Sequence, residues 1–200
     1  MTLAVRTLLC IVALCTLLAG CTTARLANSW KDPQFAGPQF KNVLVVGVTR
    51  SDANRRIFED RFSEALRASG VGAVPSYTLI PDSGAIPNER MREAVARVGA
   101  DAVLVTRVQR VEQRVEVSPG FGAPFYGMGF YGWYGGAWAG VPPDISQYDV
   151  MTLETTLWGM GREEIVWAGT SQAIDPKNVS TLSTDLAKVL IAKMRADRVL

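Results

Sequence analysis

The sequence predicts an α/β domain with a mixed sheet of about five strands and three helices, in the order β-α-β-α-β, a long insertion, then β-β-α. Short apolar runs rich in β-branched residues, at 41–48, 71–75 and from 102 onward, are typical of buried strands. Two segments of helical periodicity separate these runs, which predicts right-handed crossovers and a parallel or mixed sheet. Later segments alternate apolar and polar residues, as strands with one solvated face do.

The first helix is predicted to begin at Ser51 or Asp52, either of which can cap a free backbone N–H, and to end at Gly70. Its apolar face comprises Ile57, Phe58, Phe62, Ala65 and Leu66. The charged residues of this helix are Arg55, Arg56, Glu59, Asp60, Glu64 and Arg67. Because opposite charges recur at helical spacing, we expect a solvated face of ion pairs.

The remaining elements follow from the same signals. A second helix is expected from near Asn88 to Gly99, and the third strand begins at Ala102. A hairpin of residues 148–158 and 164–174 precedes a last helix that begins near Ser180. The arginines of the third strand are Arg107, Arg110 and Arg114. They could meet an anionic ligand, but the intervening glutamates favour ion pairing across strands.

The N-terminus predicts a signal peptide over residues 1–20. Arg6 precedes an apolar run of about 12 residues, which is shorter than the roughly 20 residues that span a bilayer. The run closes with Leu18-Ala19-Gly20-Cys21, which resembles the bacterial lipobox. The resemblance implies cleavage before Cys21 and acylation of that residue, which makes the lipid bilayer a partner. It also implies outer-membrane delivery, because Thr22 is not aspartate. Residues 21–40 are then a lipidated N-terminus and short tether, lying partly along a single periplasmic domain at 41–200.

Composition excludes several classes of function. Cleavage would leave 20 Lys and Arg against 19 Asp and Glu, without the basic patch of a nucleic-acid-binding protein. The chain has no histidine, and Cys10 and Cys15 would leave with the signal peptide. Catalysis by Ser-His-Asp or Cys-His groups, disulfides and zinc thiolate sites are therefore excluded. We predict no metal, no cofactor and no catalytic residue.

Residues 118–147 form a predicted Gly/aromatic loop insertion. Residues 117–143 carry no charged side chain. The aromatic residues of the insertion are Phe121, Phe125, Tyr126, Phe130, Tyr131, Trp133, Tyr134 and Trp138. Three interpretations remain open: the rings cover a sheet face, they contact a protein partner or the lipid interface, or the segment is flexible and of low complexity. Residues 127–132 match G-x-G-x-x-G, but no helix is predicted after them, so we reject a nucleotide loop.

The enzymatic alternative to a non-catalytic domain would depend on carboxylate side chains. Glu154, Glu163 and Glu164, with Asp144 and Asp149, are the candidate acids and bases for cleavage of a cell-wall glycan. Glu163 and Glu164 fall in a predicted hairpin turn, which favours a solvated role for both.

The chain also resembles uncharacterised bacterial lipoproteins of a recurrent type. The segments that carry this resemblance are LAGC at 18–21, SWKDP at 29–33, RIFED at 56–60, VPSY at 74–77 and IVWAG at 165–169. The order of elements over 41–196 is similar to the periplasmic α/β domains of penicillin-binding-protein activator lipoproteins, curli-secretion lipoproteins and the N-terminal domain of the Tol–Pal translocation protein. This similarity implies a non-catalytic binding or scaffold domain, although the short tether counts against activation of a synthase in the inner membrane.

These observations predict an outer-membrane lipoprotein that faces the periplasm and binds an unidentified envelope protein. The alternatives are a structural envelope lipoprotein and a carboxylate-dependent enzyme acting on cell-wall glycan.

Overall fold

The computed structural model describes residues 24–81, 86–118 and 144–200. The described strands are β1 (Ala24–Lys31), β2 (Asn42–Val48), β3 (Gly72–Pro75), β4 (Ala102–Ser118), β5 (Asp144–Gly159) and β6 (Glu164–Ile174). The described α-helices are α1 (Asp52–Ala68), α2 (Asn88–Val98) and α3 (Val179–Ala196), and a 3₁₀ turn covers Ser76–Thr78. The α/β fold class is confirmed.

The strands form one mixed sheet in the order β1-β6-β5-β4-β2-β3. Strand β2 runs parallel to β3 and β4, whereas the other neighbouring strands are antiparallel. The sheet of the described residues has six strands where five were predicted. The additional strand is β1, which comes from the segment predicted as a tether and pairs with β6 from Ala24↔Ala173 to Lys31↔Trp167. Residues 24–31 of the predicted tether therefore lie along the domain as a strand of its sheet.

Each face of the sheet has a hydrophobic core. Helices α1 and α3 cover one face, where Phe62, Leu104 and Trp167 are fully buried. Helix α2 packs on the other face against Leu44 and Val103. Helix α1 connects β2 to β3, and α2 connects β3 back past β2 to β4. These two right-handed β-α-β connections run in opposite directions along the sheet and therefore place their helices on opposite faces.

The predicted helix ends are confirmed. The Ser51 side chain accepts a hydrogen bond from the Asn54 backbone N–H at 3.3 Å and so caps α1. Gly70 and Gly99, which follow α1 and α2, have φ values of 86° and 59°. Both conformations are left-handed and favour glycine. Helix α3 begins one residue before the predicted Ser180 and is capped by Asn178.

The strand directions give the sheet two distinct ends. Strands β2, β4 and β6 finish at the end where β1 and β5 begin. We call this the Ala24 end, since Ala24 is the first residue of β1. The opposite end carries the turn between β5 and β6 and the C-terminal residue Leu200.

Candidate functional site

Strands β4 and β5 continue past the rest of the sheet at the Ala24 end. The pairing of β4 with β2 stops at Arg107, and the pairing of β5 with β6 stops at Val150. The β4–β5 ladder continues to Ser118↔Asp144. Residues 113–118 and 144–149 therefore form a two-stranded ribbon, which we call the arm. Six residues of strand extend about 20 Å at roughly 3.4 Å per residue.

Apolar side chains are exposed along one face of β4 on the way to the arm. Val108 lies opposite Leu153, and Val111 lies opposite Met151, both of which belong to the core beneath α1 and α3. Val115 is four residues further and points to the same side as Val111. We call Val108, Val111 and Val115 the apolar strip. It continues the helix-covered face of the sheet beyond the helices.

The core opens beside this strip into an apolar cleft of about 110 Å³. Phe58 of α1, Leu182 of α3 and Leu153 of β5 line it. Gly47 permits the close approach of α1, since a Cβ atom at this position would lie 3.0 Å from Phe58 Cδ1.

Two hydroxyl groups that line the cleft, those of Thr106 and Ser183, already have hydrogen-bond partners within the protein. The Thr106 hydroxyl is hydrogen-bonded to the Thr155 hydroxyl at 2.8 Å, and the Ser183 hydroxyl donates to the Val179 carbonyl at 2.6 Å. The cleft therefore suits an apolar group better than a polar substrate.

A buried ion pair lies beneath this end of the sheet. Arg55 is 3 % exposed and Glu59 is 0 % exposed, and Arg55 Nε donates to Glu59 Oε1 at 2.9 Å. Ser76 links the two side chains, accepting from Arg55 Nη2 at 2.9 Å and donating to Glu59 Oε1 at 2.8 Å. The backbone N–H groups of Gly47 and Tyr77 also donate to the Glu59 carboxylate, at 3.0 and 2.8 Å. Glu59 thus joins α1, β2 and the 3₁₀ turn.

The prediction of a solvated charged face is wrong for Arg55 and Glu59. Both fall on the same side of the helix as Phe58 and Phe62, because positions three and four apart share a helical face. That spacing is the signal that could have identified a buried pair. The prediction is confirmed for Arg56 and Glu64, which form exposed ion pairs with Asp52 and Arg61.

A second polar contact fixes the same turn. The Tyr77 hydroxyl donates to Asp60 Oδ1 at 2.8 Å, and the Arg56 guanidinium lies 5.1 Å from the centre of the Tyr77 ring. The hydrogen bond to Asp60 raises the pKa of Tyr77 above its usual value, and burial adds to this effect. The turn is therefore attached to α1 through two carboxylates.

The predicted lipidation site and contact residues lie outside the described residues. These are Cys21 and the eight aromatic residues Phe121, Phe125, Tyr126, Phe130, Tyr131, Trp133, Tyr134 and Trp138. Residues 127–132, which match the glycine pattern, also lie there. The structure does place their flanking residues: Ser118 and Asp144 are paired at the end of the arm.

The candidate glutamates are not brought together. Glu154 lines a depression together with Trp30, Glu163 lies beside α2, and Glu164 lies in a third depression near Phe35. Glu163 is exposed in the β5–β6 turn with φ 56°. Over residues 24–81, 86–115 and 147–200, no group of three His, Cys, Asp or Glu side chains could hold a metal ion.

The arginines of β4 are engaged by glutamates. Arg107 pairs with Glu154 across strands, as predicted. Arg110 and Arg114 both pair with Glu112 of their own strand, at 3.1 and 3.7 Å. Along-strand pairing therefore replaces the predicted cross-strand contacts at these two positions, because Glu112 lies two residues from each of them and on the same face of the strand.

No helix within the described part of the chain is long and apolar enough to cross a membrane. No protein-family model matches the sequence, and a search of curated proteins found no significant match.

Solved structures with a similar fold include PelC from Paraburkholderia phytofirmans, which forms a dodecamer in its crystals. The two chains share 17 % identity over 84 % of this chain and 94 % of PelC, with a TM-score of 0.45. A neuraminyllactose-binding hemagglutinin homolog from Helicobacter pylori shares 12 % identity over 81 % of this chain and 89 % of its own, with a TM-score of 0.38. A DUF330 protein from Xanthomonas campestris shares 10 % identity over 84 % and 87 % of the two chains, with a TM-score of 0.34. These matches concern the fold alone.

Proposed function

We propose that this chain is a lipid-anchored, non-catalytic binding domain of the bacterial cell envelope, held at the periplasmic face of the outer membrane through Cys21. The proposal is supported most directly by the position of β1, whose first residue Ala24 is buried three residues after Cys21. Three residues reach at most about 10 Å. Lipid on Cys21 would therefore hold the Ala24 end of the sheet close to the bilayer.

Acylation is tested by expressing the full chain in a Gram-negative host and measuring its intact mass. The expected mature chain begins at Cys21 and carries a diacylglyceryl group and an N-linked acyl chain. Cys21→Ser should abolish the added mass, whereas the control Thr22→Ser should retain it. Density-gradient fractionation should find the native chain with outer membranes, and Thr22→Asp should shift it to inner membranes. A mature chain without acyl mass would contradict the proposal.

The proposed binding element is the aromatic segment that follows β4. The arm supports this assignment because it holds both flanking residues, Ser118 and Asp144, beyond the body of the sheet. Aromatic side chains combine large apolar area with few rotatable bonds, which suits them to recognition of a partner.

The binding role is tested with a variant in which a short Asn-Gly turn replaces residues 120–141. A photo-crosslinking amino acid is placed at the exposed position Arg114, which points away from the apolar strip, in both the native chain and the variant. We expect one discrete crosslinked partner in cells for the native chain, its loss in the variant, and an unchanged midpoint of thermal unfolding. An unfolded variant would instead show that the segment forms part of the core, and unchanged crosslinking would place the contact elsewhere.

A further inference from the structure

We propose that the Ala24 end rests on the bilayer surface, with the apolar strip at the boundary between lipid headgroups and acyl chains. This inference deepens the proposed function and depends on acylation of Cys21. The exposed large apolar residues at this end are Val48, Val108, Val111, Val115 and Ile174, which are 45–59 % exposed. They account for most of the exposed large apolar side chains of the described residues; the others are Trp30 and Ile57.

The arm has an apolar face without a packing partner among the described residues. Within those residues the ribbon has two strands beyond Ile174, and a two-stranded hairpin on its own is at best marginally stable in water. Its root is amphipathic, since Val111 points to one side and the Arg110–Glu112 ion pair to the other. Burial of Val111 and Val115 against an apolar surface would supply the missing contact.

The length of the N-terminal segment identifies that surface as lipid. A chain of three residues from Cys21 to Ala24 leaves no room to lift the end of the sheet far from an acylated cysteine. Any anchored copy therefore brings the exposed valines to the membrane without a further binding step.

Charge and backbone geometry define how the end sits on the lipid. Arg110 and Arg114 are paired with Glu112, and Arg107 with Glu154, so these charges largely cancel. Contact should therefore depend weakly on salt and on anionic lipid. Among the described residues no third strand pairs with the outer edges of the arm, and backbone groups without partners cannot enter the hydrocarbon core without loss of hydrogen bonds. The arm is accordingly placed at interfacial depth.

The chain offers a clean labelling experiment. Once Cys10 and Cys15 are removed with the signal peptide and Cys21 is acylated, an introduced cysteine is the only free thiol. Val111→Cys and Ile174→Cys report on the Ala24 end, and Arg162→Cys, in the exposed turn at the opposite end, is the matched control. Each acylated protein is labelled with bimane and reconstituted in phosphatidylethanolamine–phosphatidylglycerol vesicles that contain nitroxide lipids.

We expect nitroxide lipids to quench the labels at 111 and 174 several-fold more than the label at 162, with little change in 1 M salt. Equal quenching at all three positions on chains that sediment with the vesicles would overturn the orientation while leaving the anchor intact. Contact between labels of separate copies at 111, without lipid quenching, would overturn it in favour of self-association. An unacylated mass in the same preparation would refute the proposed function and, with it, this orientation.

Discussion

Replacing Glu59 by glutamine should destabilise this domain far more than an isosteric change usually does. Glu59 is fully buried and accepts hydrogen bonds from Arg55, Ser76, and the backbone N–H groups of Gly47 and Tyr77. Glutamine keeps the shape but loses the charge, so the buried Arg55 guanidinium loses the negative charge that Glu59 supplied. The NH₂ group of the glutamine amide would also face one of the groups that donate hydrogen bonds to the carboxylate, so that two donors oppose each other.

The expected magnitude follows from this geometry. Removal of one partner of a buried ion pair costs about 3–5 kcal/mol, because the remaining charge stays desolvated. Since domains are stable by roughly 5–15 kcal/mol, Glu59→Gln should remove a large fraction of the total. For a domain of this size the melting temperature should fall by about 6–20 °C, at roughly 2–4 °C per kcal/mol. The control is Glu64→Gln on the same helix, whose pair with Arg61 is exposed, and its cost should stay below about 1 kcal/mol.

Urea denaturation followed by tryptophan fluorescence measures both costs, because the buried Trp167 reports on the core. The double variant Arg55→Met, Glu59→Gln should be less destabilised than the sum of its single changes by at least about 1 kcal/mol, because Arg55→Met also removes the cation that Glu59 neutralised. A cost for Glu59→Gln no larger than that for Glu64→Gln, or additive effects in the double variant, would refute the reasoning.

Two further changes test the packing of β6 and the C-terminal helix. Gly169→Ala should cost about 1–3 kcal/mol by urea denaturation, because the new Cβ would clash with the buried Trp167 ring, whereas Gly161→Ala, with open space around it, should be neutral. Burial opposes ionisation of Asp197, but hydrogen bonds from Lys193 and Trp167 outweigh it and lower the pKa of Asp197 below its usual value. Ionised Asp197 therefore stabilises the folded domain above the unfolded-state pKa of this group, and this stabilisation is lost as the pH falls through the folded-state pKa. The cost of Asp197→Asn should accordingly be about 1 kcal/mol at pH 7 and shrink toward pH 3. A cost that is constant over this range would contradict the assignment.

Local signals predicted the helix ends, and tertiary contacts account for what the sequence analysis missed. Ser51, Gly70 and Gly99 act through backbone geometry within a few residues, which a sequence displays directly. Strand β1 gives no such signal, because an edge strand with one covered face lacks a continuous apolar run. A register shift between Leu26 and Asn28 also breaks its alternation.

At the candidate site, too, local signals were predictable from the sequence and tertiary contacts were not. The burial of Glu59 depends on Gly47 and Ser76, which lie 12 and 17 positions away in the chain, so helical charge spacing alone favoured a solvated face. The antiparallel register of β1 and β6, which sets Ala24 opposite Ala173, shows that the arm and the first residue of β1 lie at the same end of the sheet. Amino-acid composition identified the insertion, but only the fold shows that the residues on either side of it are paired.

The two ends of the sheet differ in how completely their polar groups are hydrogen-bonded and their apolar side chains are buried. At the end away from Ala24, the Asp101 carboxylate accepts from the backbone N–H groups of Lys41 and Asn42, and the Val199 carbonyl accepts from the Phe40 N–H. The C-terminal Leu200 is buried there. At the Ala24 end of the described residues, aliphatic side chains face solvent and the ribbon has no third strand. Exposed apolar surface and unpaired strand edges favour aggregation unless something covers them. The asymmetry is a property of the described residues of the sheet and does not depend on the predicted lipobox, so two independent features, the sheet and the N-terminal motif, support the proposed contact surface at the same end of the molecule.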